Sequence, residues 1–452
     1  MKPPLPRHHQ PLDIAVIGSG IAGMAAAWLL SKNHRVTVFE RDDRIGGHSN
    51  TVEAPGPDGP VAVDTGFIVY NELNYPNLVA LFDHLGVPTK PSDMSFAASI
   101  DDGDLEYSGS GLVGLFAQPR NVLRARFWRM LGDIRRFYRS GPALLQRPGA
   151  DNLTLGHYLD SERYSHAFVY NHLLPMAAAI WSTAARDMRD HPAAAFIRFC
   201  TNHGLMQVSG RPQWRTVEGG SREYVRLLTA PFADHIRLDA RIRSVRRTPR
   251  GVIVDHENGI VERFDHVVIA THADQALALL GDPRPEERRL LGAFNYTRNT
   301  AVLHSDPALM PRRRRVWSSW NYLSRSVDAG ASRVSVSYWM NRLQGLDPRV
   351  PLFVTLNPHR EPDHRSVLQV FEYDHPAYDL ADIDAQRSLW QLQGVGNTWF
   401  CGSHFGAGFH EDALQAGLAV AEQLGGTRRP WRVDGESDRI VLGQRPIVEA
   451  AA

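Results

Sequence analysis

The segment Gly18-Ser19-Gly20-Ile21-Ala22-Gly23 follows a G-x-G-x-x-G pattern, and the residues on either side of it narrow the fold sharply. Asp13-Ile-Ala-Val-Ile17 is a short apolar run suited to a strand buried in a parallel sheet. An Ala- and Leu-rich stretch from about Ile21 to Lys32 reads as a helix, and Arg35-Val-Thr-Val-Phe-Glu40 as the next strand. Strand, glycine turn, helix and strand make a βαβ unit. In such a turn the first glycine permits the tight bend, the second lets backbone approach a pyrophosphate, and the third lets helix and strand pack closely. The helix N-terminus offers free N–H groups and partial positive charge to phosphate. Glu40 ends the second strand 20 residues after Gly20, where a carboxylate accepts hydrogen bonds from the hydroxyls of an adenosine ribose. The expected ligand is a dinucleotide.

Further glycine turns indicate which one. Arg44-Ile45-Gly46-Gly47-His48 follows at once, Val61-Ala-Val-Asp64-Thr65-Gly66 gives another strand and glycine, and Gly402-x3-Gly406-Ala407-Gly408 opens a helix near the C-terminus. Segments so far apart in sequence suit one long ligand wrapped from several sides. FAD is such a ligand, whereas NAD(P) normally needs one fingerprint and no second G-x-G-x-x-G is present for it.

Composition excludes several other classes. The 452 residues, 43% hydrophobic and 22% charged, describe a folded chain of two or three domains rather than a disordered or disulfide-stapled one. A net charge of +1 argues against a nucleic-acid coat, and Arg312-Arg-Arg-Arg315 reads as a solvated loop. Cys200 and Cys401 stand far apart without a C-x-x-C, so a reducing compartment is expected. The scattered histidines show no metal spacing, and no G-x-S-x-G, Walker lysine or H-E-x-x-H occurs. Lysine is confined to Lys2, Lys32 and Lys90, so no chemistry beyond residue 90 can rest on one. The longest uncharged stretch, Ile14 to Leu30, is broken by three glycines and reads as strand, turn and helix rather than a membrane span.

Along the chain, residues 1–12 read as a disordered lead-in, 56–60 as a turn, and 72–86 and 120–139 as helices. Strands are expected at Arg237–Val245, Val252–His256, Val261–Ala270, 299–304, 333–340, 352–356, 366–373 and Thr398–Cys401, with a final helix from Glu411 to Leu424. The fold class is α/β. A discontinuous Rossmann-like FAD-binding domain (1–70, 215–275, 395–425) carries an inserted α+β substrate domain (71–214, 276–394), and 426–452 forms a tail.

These motifs resemble those of the amine oxidase and phytoene desaturase superfamily of FAD enzymes. The likeness rests on the fingerprint, Glu40-Arg41, Arg44-x-Gly46-Gly47, Val267-Val268-Ile269-Ala270 and the Gly402 loop. Asp64-Thr65-Gly66-Phe67-Ile68-Val69-Tyr70-Asn71, Trp214 to Ser221, Trp320-Asn321-Tyr322 and Gly408-Phe409-His410-Glu411-Asp412 resemble a bacterial subgroup. That subgroup is similar to the flavoprotein desaturases of methylated and furan fatty acid pathways. The resemblance implies that Gly18, Ser19, Gly20 and Gly23 hold the pyrophosphate, Glu40 the ribose and Arg41 the adenosine edge. Gly46, Gly47 and His48 would lie along the phosphates and flavin side, with Gly66 in the same group. Arg243 to Val245 would meet adenine through backbone, Gly402 and Ser403 would flank the ribityl chain, and Glu411, Asp412 and Ala413 would point at the flavin pyrimidine. His48 and Ser403 depart from the residues common in the superfamily, an arginine and an acid. The lysine that amine oxidases often use in the substrate half and an evident pair of cage tyrosines are missing. Both absences argue against amine oxidation.

Within this frame, FAD takes a hydride equivalent and a helix N-terminus near its pyrimidine stabilises the reduced form. His404, His410 and Glu411 are the candidate catalytic residues, each able to accept a proton, with helix capping by Glu411 and packing by His410 as the alternative. Tyr70 and Asn71 are candidate substrate-wall residues or ordinary packing residues. His272 is a candidate neighbour of the cofactor, and Trp181, Asn202 and His203 read as structural. Residues 120–139 hold seven arginines and one acid, Asp133, with apolar residues at helical spacing. This basic amphipathic helix suits an anionic membrane surface or a core-packed helix.

The expected function is FAD-dependent dehydrogenation (desaturation) of an apolar substrate, an unsaturated or methylated fatty acyl chain. The alternatives are a flavin amine oxidase and a non-catalytic flavin-containing binding or redox-sensing protein. The expected partner is a lipid or fatty acyl substrate, with no nucleic acid and no metal. The expected location is cytoplasmic, with peripheral contact at the inner membrane left open. Electron acceptor and oligomeric state stay open.

Overall fold

The computed structural model describes residues 10–181, 184–207, 210–324 and 335–443. Most of the expected lead-in, the first two residues of the 333–340 strand and the last part of the tail lie outside these. The chain divides into two compact units, one of Met1–Gly47, Val225–Ala293 and Ala385–Ala452, the other of His48–Tyr224 and Phe294–Asp384. Residues 48–70 therefore group with the second unit, and 276–293 and the described tail with the first, unlike the expected breaks near 70, 215, 275 and 395.

The first unit is built on a parallel five-stranded sheet. In spatial order its strands are Ile236–Arg237, Arg35–Phe39, Asp13–Ile17, His266–Ile269 and Thr398–Phe400. Asp13–Ile17 and His266–Ile269 are buried from their second residue onward, which is why both read as unbroken apolar runs rather than alternating ones. The fingerprint helix, Ile21–Leu30, is buried at all ten positions, so it shows no polar face.

Two expected strands are each split in the structure. Val261–Ala270 becomes Val261–Phe264, in a separate antiparallel sheet with Ile242–Thr248 and Gly251–His256, and His266–Ile269 in the parallel one. Asp265 makes the change of sheet, its N–H donating to the Asp13 carbonyl and its carboxylate accepting from the Asp13 N–H. Arg237–Val245 is interrupted at Asp239, whose φ of 50° lies in the left-handed region that ends a strand.

The described tail folds back on this unit. Trp431 stacks on Trp28 at 5.9 Å, and Arg429, its side chain fully buried, pairs with Glu422 at 2.8 Å.

The second unit holds a seven-stranded mixed sheet. In sheet order its strands are Val367–Ala377, Asn295–His304, Phe353–Leu356, Ser335–Trp339, Trp320–Leu323, Phe96–Ile100 and Leu105–Ser108. The expected 56–60 turn is the tip of a hairpin whose strands, Thr51–Gly56 and Gly59–Asp64, run almost to each other. The 72–86 helix begins only at Pro76, where proline's missing N–H costs nothing, and closes at Gly86 with φ 68°. The 120–139 segment is a short 3₁₀ turn, Pro119–Leu123, followed by the helix Ala125–Ser140. That helix buries Phe127, Met130 and Phe137, so its apolar face is packed in protein and is not the surface a bilayer would meet. Among the described residues no helix is long and apolar enough to cross a membrane.

Candidate functional site

Four segments leave the carboxyl ends of neighbouring strands of the parallel sheet: 18–23 after Ile17, Glu40 after Phe39, 270–272 after Ile269 and 401–409 after Phe400. Ligands of open α/β sheets bind at this edge. Ser19 ties three of the predicted groups together. Its N–H and hydroxyl donate to Glu40 Oε2 at 2.9 and 2.5 Å, and its carbonyl and hydroxyl accept from the Gly46 N–H at 3.1 and 3.2 Å. Arg44 completes the turn by donating to the Gly47 carbonyl at 2.9 Å.

The glycines serve different ends. Gly18 has φ 102°, and a Cβ on it would stand 2.8 Å from the Ala270 carbonyl oxygen. A Cβ on Gly23 would stand 2.0 Å from the Gly18 carbonyl oxygen. Gly20 is different: a Cβ there would meet no atom within 4 Å, and its φ of −65° suits any residue. The protein's own packing gives no reason for glycine at 20, whereas close approach of a bound pyrophosphate does. Glu40, the open face of Gly20 and the adjoining Gly47 thus fit the adenosine diphosphate half of FAD.

At the other end of the edge, Gly402 is buried. A Cβ on it would lie 2.7 Å from the His404 ring, so packing rather than backbone angle demands glycine. The Ser403 carbonyl accepts from Gly406 and Gly408 N–H, and Gln386 donates to the His404 and Gly406 carbonyls. The final helix, His410–Gln423, starts here. Asp412 caps it by accepting from the Phe409 N–H at 2.7 Å, and Arg439 pairs with Asp412 at 2.5 Å. Burial raises the Asp412 carboxyl and Arg439 opposes the rise. Glu411 is fully buried and accepts from Gln415 at 2.9 Å, while Gln415 in turn accepts from the Arg439 N–H. Burial pushes the imidazoles of His404, with His272 nearby, and of His410 down to about 3, so both are neutral at pH 7. Ala413 is buried one residue further along the helix.

Arg41 is exposed beside Asp42. Val245 lies in the antiparallel sheet, its carbonyl accepting from the Gly281 N–H at 2.9 Å.

His48, Gly66, Tyr70 and Asn71 belong to the second unit. His48 packs on Tyr373 at 5.2 Å, and a Cβ on Gly66 would stand 2.1 Å from the His48 carbonyl oxygen. Tyr70 is buried against Phe82 and Tyr75. Asn71 Oδ1 accepts from the Asn74 backbone and side chain at 2.9 Å, whereas its buried Nδ2 has no partner among the described residues. Trp181 and His203 pack on Phe199. The Asp64 and Ser221 motifs form one node: Asp64 Oδ1 accepts from Thr51 Oγ1 and from the Ser221 N–H and hydroxyl, and Oδ2 from Gln344 Nε2.

Sequence reasoning missed Gly417 and Arg439. A Cβ on Gly417 would stand 2.2 Å from the Ala22 carbonyl oxygen, so this glycine lets the final helix lie on the fingerprint helix. A glycine inside an otherwise Ala- and Leu-rich helix was its only signal. Arg439 had none, because its partner is fixed by long-range packing.

A parallel sheet with a glycine cradle and a capped helix along one carboxyl edge defines a dinucleotide-binding oxidoreductase of the FAD type. The family model for flavin containing amine oxidoreductase matches residues 21–361, and the chain belongs to that family. It is an FAD-dependent oxidoreductase. AofH of Mycobacterium tuberculosis, described as a flavin-containing monoamine oxidase, is 26% identical over 390 residues, covering 83% of this chain and 77% of the relative. A 4,4'-diapophytoene desaturase of Staphylococcus aureus is 28% identical over 194 residues, 36% of this chain and 38% of the relative. Among solved structures, a putrescine oxidase triple mutant superposes with TM-score 0.67 at 16% identity, covering 92% of this chain and 98% of the other. A fatty acid isomerase from P. acnes superposes with TM-score 0.63 at 15% identity, covering 92% and 99%. Both structural likenesses show the shared fold.

Proposed function

We propose that the enzyme dehydrogenates an apolar substrate, an unsaturated or methylated fatty acyl chain. The carrying observation is the neutrality of the loop that opens the final helix. His404 and His410 are uncharged, and the acids Glu411 and Asp412 are buried on Gln415 and Arg439. Nothing in that loop offers a free carboxylate to an ammonium group. The desaturase relative and the fatty acid isomerase of the same fold add support. Peripheral contact with an anionic membrane belongs to the same reading, because a bilayer holds the substrate.

In this reading Gly18 to Gly23, Gly46, Gly47 and Glu40 bind the nucleotide, with Arg41 and Val245 beside the adenosine. Gly402, Ser403 and the start of the final helix hold the flavin end. FAD supplies the hydride acceptor. The N–H groups of His410, Glu411 and Asp412, at the start of the helix, would favour negative charge on the flavin when it is bound, and the neutral rings of His404 and His410 would help to exclude water. An imidazole with a pKa near 3 accepts a proton poorly, which argues against His404 and His410 as the base. His48 and Gly66 are assigned to the flavin side, and Tyr70 and Asn71 to the substrate wall, where Asn71 Nδ2 supplies an unused donor.

A second reading, amine oxidation, is favoured by the extent of the match to AofH. Anaerobic flavin bleaching separates the two. Bleaching by a detergent-dispersed unsaturated or methylated acyl chain, with none by primary amines, is expected. Bleaching by amines alone would overturn the lipid reading.

A further inference from the structure

Several of the most exposed large apolar side chains fall within one short stretch: Leu112 is 74% exposed, Leu123 is 89% exposed, and Val113, Val122 and Trp128 are also exposed. Phe116, Val122 and Trp128 tie the two ends of this stretch together. The Phe116 N–H donates to the Leu112 carbonyl at 3.0 Å, the Phe116 and Trp128 rings lie 5.7 Å apart, and Trp128 Nε1 donates to the Val122 carbonyl at 2.8 Å. The helix Ala125–Ser140 continues this face. Its buried side carries Phe127, Met130 and Phe137, and the opposite stripe, spaced i, i+4, i+7, i+11, carries Trp128, Gly132, Arg135 and Arg139.

Arg129, Arg135 and Arg139 are exposed and form no ion pair among the described residues. The helix's own acid, Asp133, is taken by Arg136 and the Ser165 N–H, and Asp104 by Arg120 and Arg124. Asp101 and Asp102 are exposed on a loop that also faces Arg120, Arg312 and Arg313.

We propose that this face, from Leu112 through Arg139, docks on an anionic lipid bilayer. The proposal deepens the lipid reading by naming the membrane surface as partner, and it moves the contact away from the helix's apolar side, which is packed in protein. Leu112, Val113, Val122 and Leu123 enter the acyl boundary. Trp128 sits at the interface with its indole N–H already satisfied, and Arg129, Arg135 and Arg139 meet phosphate headgroups. Charge complementarity selects the occupant: a modest apolar tip binds weakly alone, and an unpaired basic stripe beside it supplies the second anchor that stable attachment needs.

The test is co-sedimentation of the flavin-loaded full chain with phosphatidylcholine vesicles with and without phosphatidylglycerol, at low and high salt. Two double variants, Leu112→Glu with Leu123→Glu and Arg135→Glu with Arg139→Glu, are run beside it. The expected result is pelleting with anionic vesicles that high salt weakens, and a loss of at least about ten-fold in partitioning for either variant. Unchanged flavin absorbance and melting temperature show that the variants are folded. Recovery of the parent protein in the supernatant, or equal pelleting of all three, overturns the proposal. So does a dimer in light scattering that the leucine variant disperses, since the face would then belong to a second copy. Pelleting without bleaching by acyl chains retains the docking surface and sinks the substrate reading, whereas bleaching without pelleting does the reverse.

Discussion

Gly20 and Gly23 sit three residues apart in one motif and answer to different constraints. Gly23→Ala forces a Cβ to 2.0 Å from the Gly18 carbonyl oxygen and should cost the apoprotein at least about 1–3 kcal/mol through overpacking. Gly20→Ala meets no atom within 4 Å and should cost the apoprotein under about 1 kcal/mol, an effect confined to the helix cap. FAD affinity should nevertheless fall at least ten-fold, about 1.4 kcal/mol. Apoprotein melting and FAD titration of both variants check this. A Gly20→Ala protein that binds FAD as tightly as the parent would remove Gly20 from the cradle. Asn71 and Gly417 belong to the same level. Both residue types were visible in the sequence, but only the coordinates show an unused buried donor in one and a crossing of helices at the other.

The final helix depends on a segment that follows it. Arg439 returns to pair with Asp412, whose carboxylate caps the helix where the flavin end is proposed to lie. Removing one partner of a buried pair costs about 3–5 kcal/mol. Arg439→Gln should fall at the lower end, because the Arg439 side chain stays one-fifth exposed. The Asp412 carboxyl, already raised by burial, should then rise further, so the variant should regain stability as pH falls toward that carboxyl's new pKa. Melting curves across pH check this, and flavin release at neutral pH should accompany the loss. A variant as stable as the parent at every pH would make the strap incidental. The helix itself was legible from its period and its Gly402 to Gly408 approach. The strap was not, because an Arg-rich tail gives no local sign of the acid it will meet.

Buried titratable groups across the chain set its pH response. Burial depresses His172, His191 and His304 to about 4 and His404 and His410 to about 3, below the 6.5 of the unfolded chain. The stability these provide is complete above 6.5 and is lost as pH falls from there toward the folded values. Burial raises Asp64 to about 6 and Asp382 to about 7, and their contribution is present below 3.8 and lost as pH rises through those values. The imidazoles outnumber the acids, so the melting temperature should climb from pH 4 to about 6.5 and then level or fall slightly as Asp382 ionises. Asp382→Asn should leave stability nearly unchanged below 3.8 and raise it by an amount that grows with pH and levels off above about pH 7. A parent protein most stable at pH 4 would contradict this balance.

The βαβ start, the glycine turn that follows its first strand, the acid that ends its second strand and the α/β class are local properties, set by side-chain period and by which residues tolerate a given backbone angle, and they were readable from the chain alone. Assignment to one side of an element was not. The apolar stripe of Ala125–Ser140 was plain in sequence, but only packing shows that it is enclosed and that Trp128 and the arginines face out. The breaks at Asp239 and Asp265, the Asp64 node and the pairing of Arg439 with the capping Asp412 likewise join residues distant in the chain. Such contacts depend on how the folded elements meet, and no window of neighbouring residues encodes them.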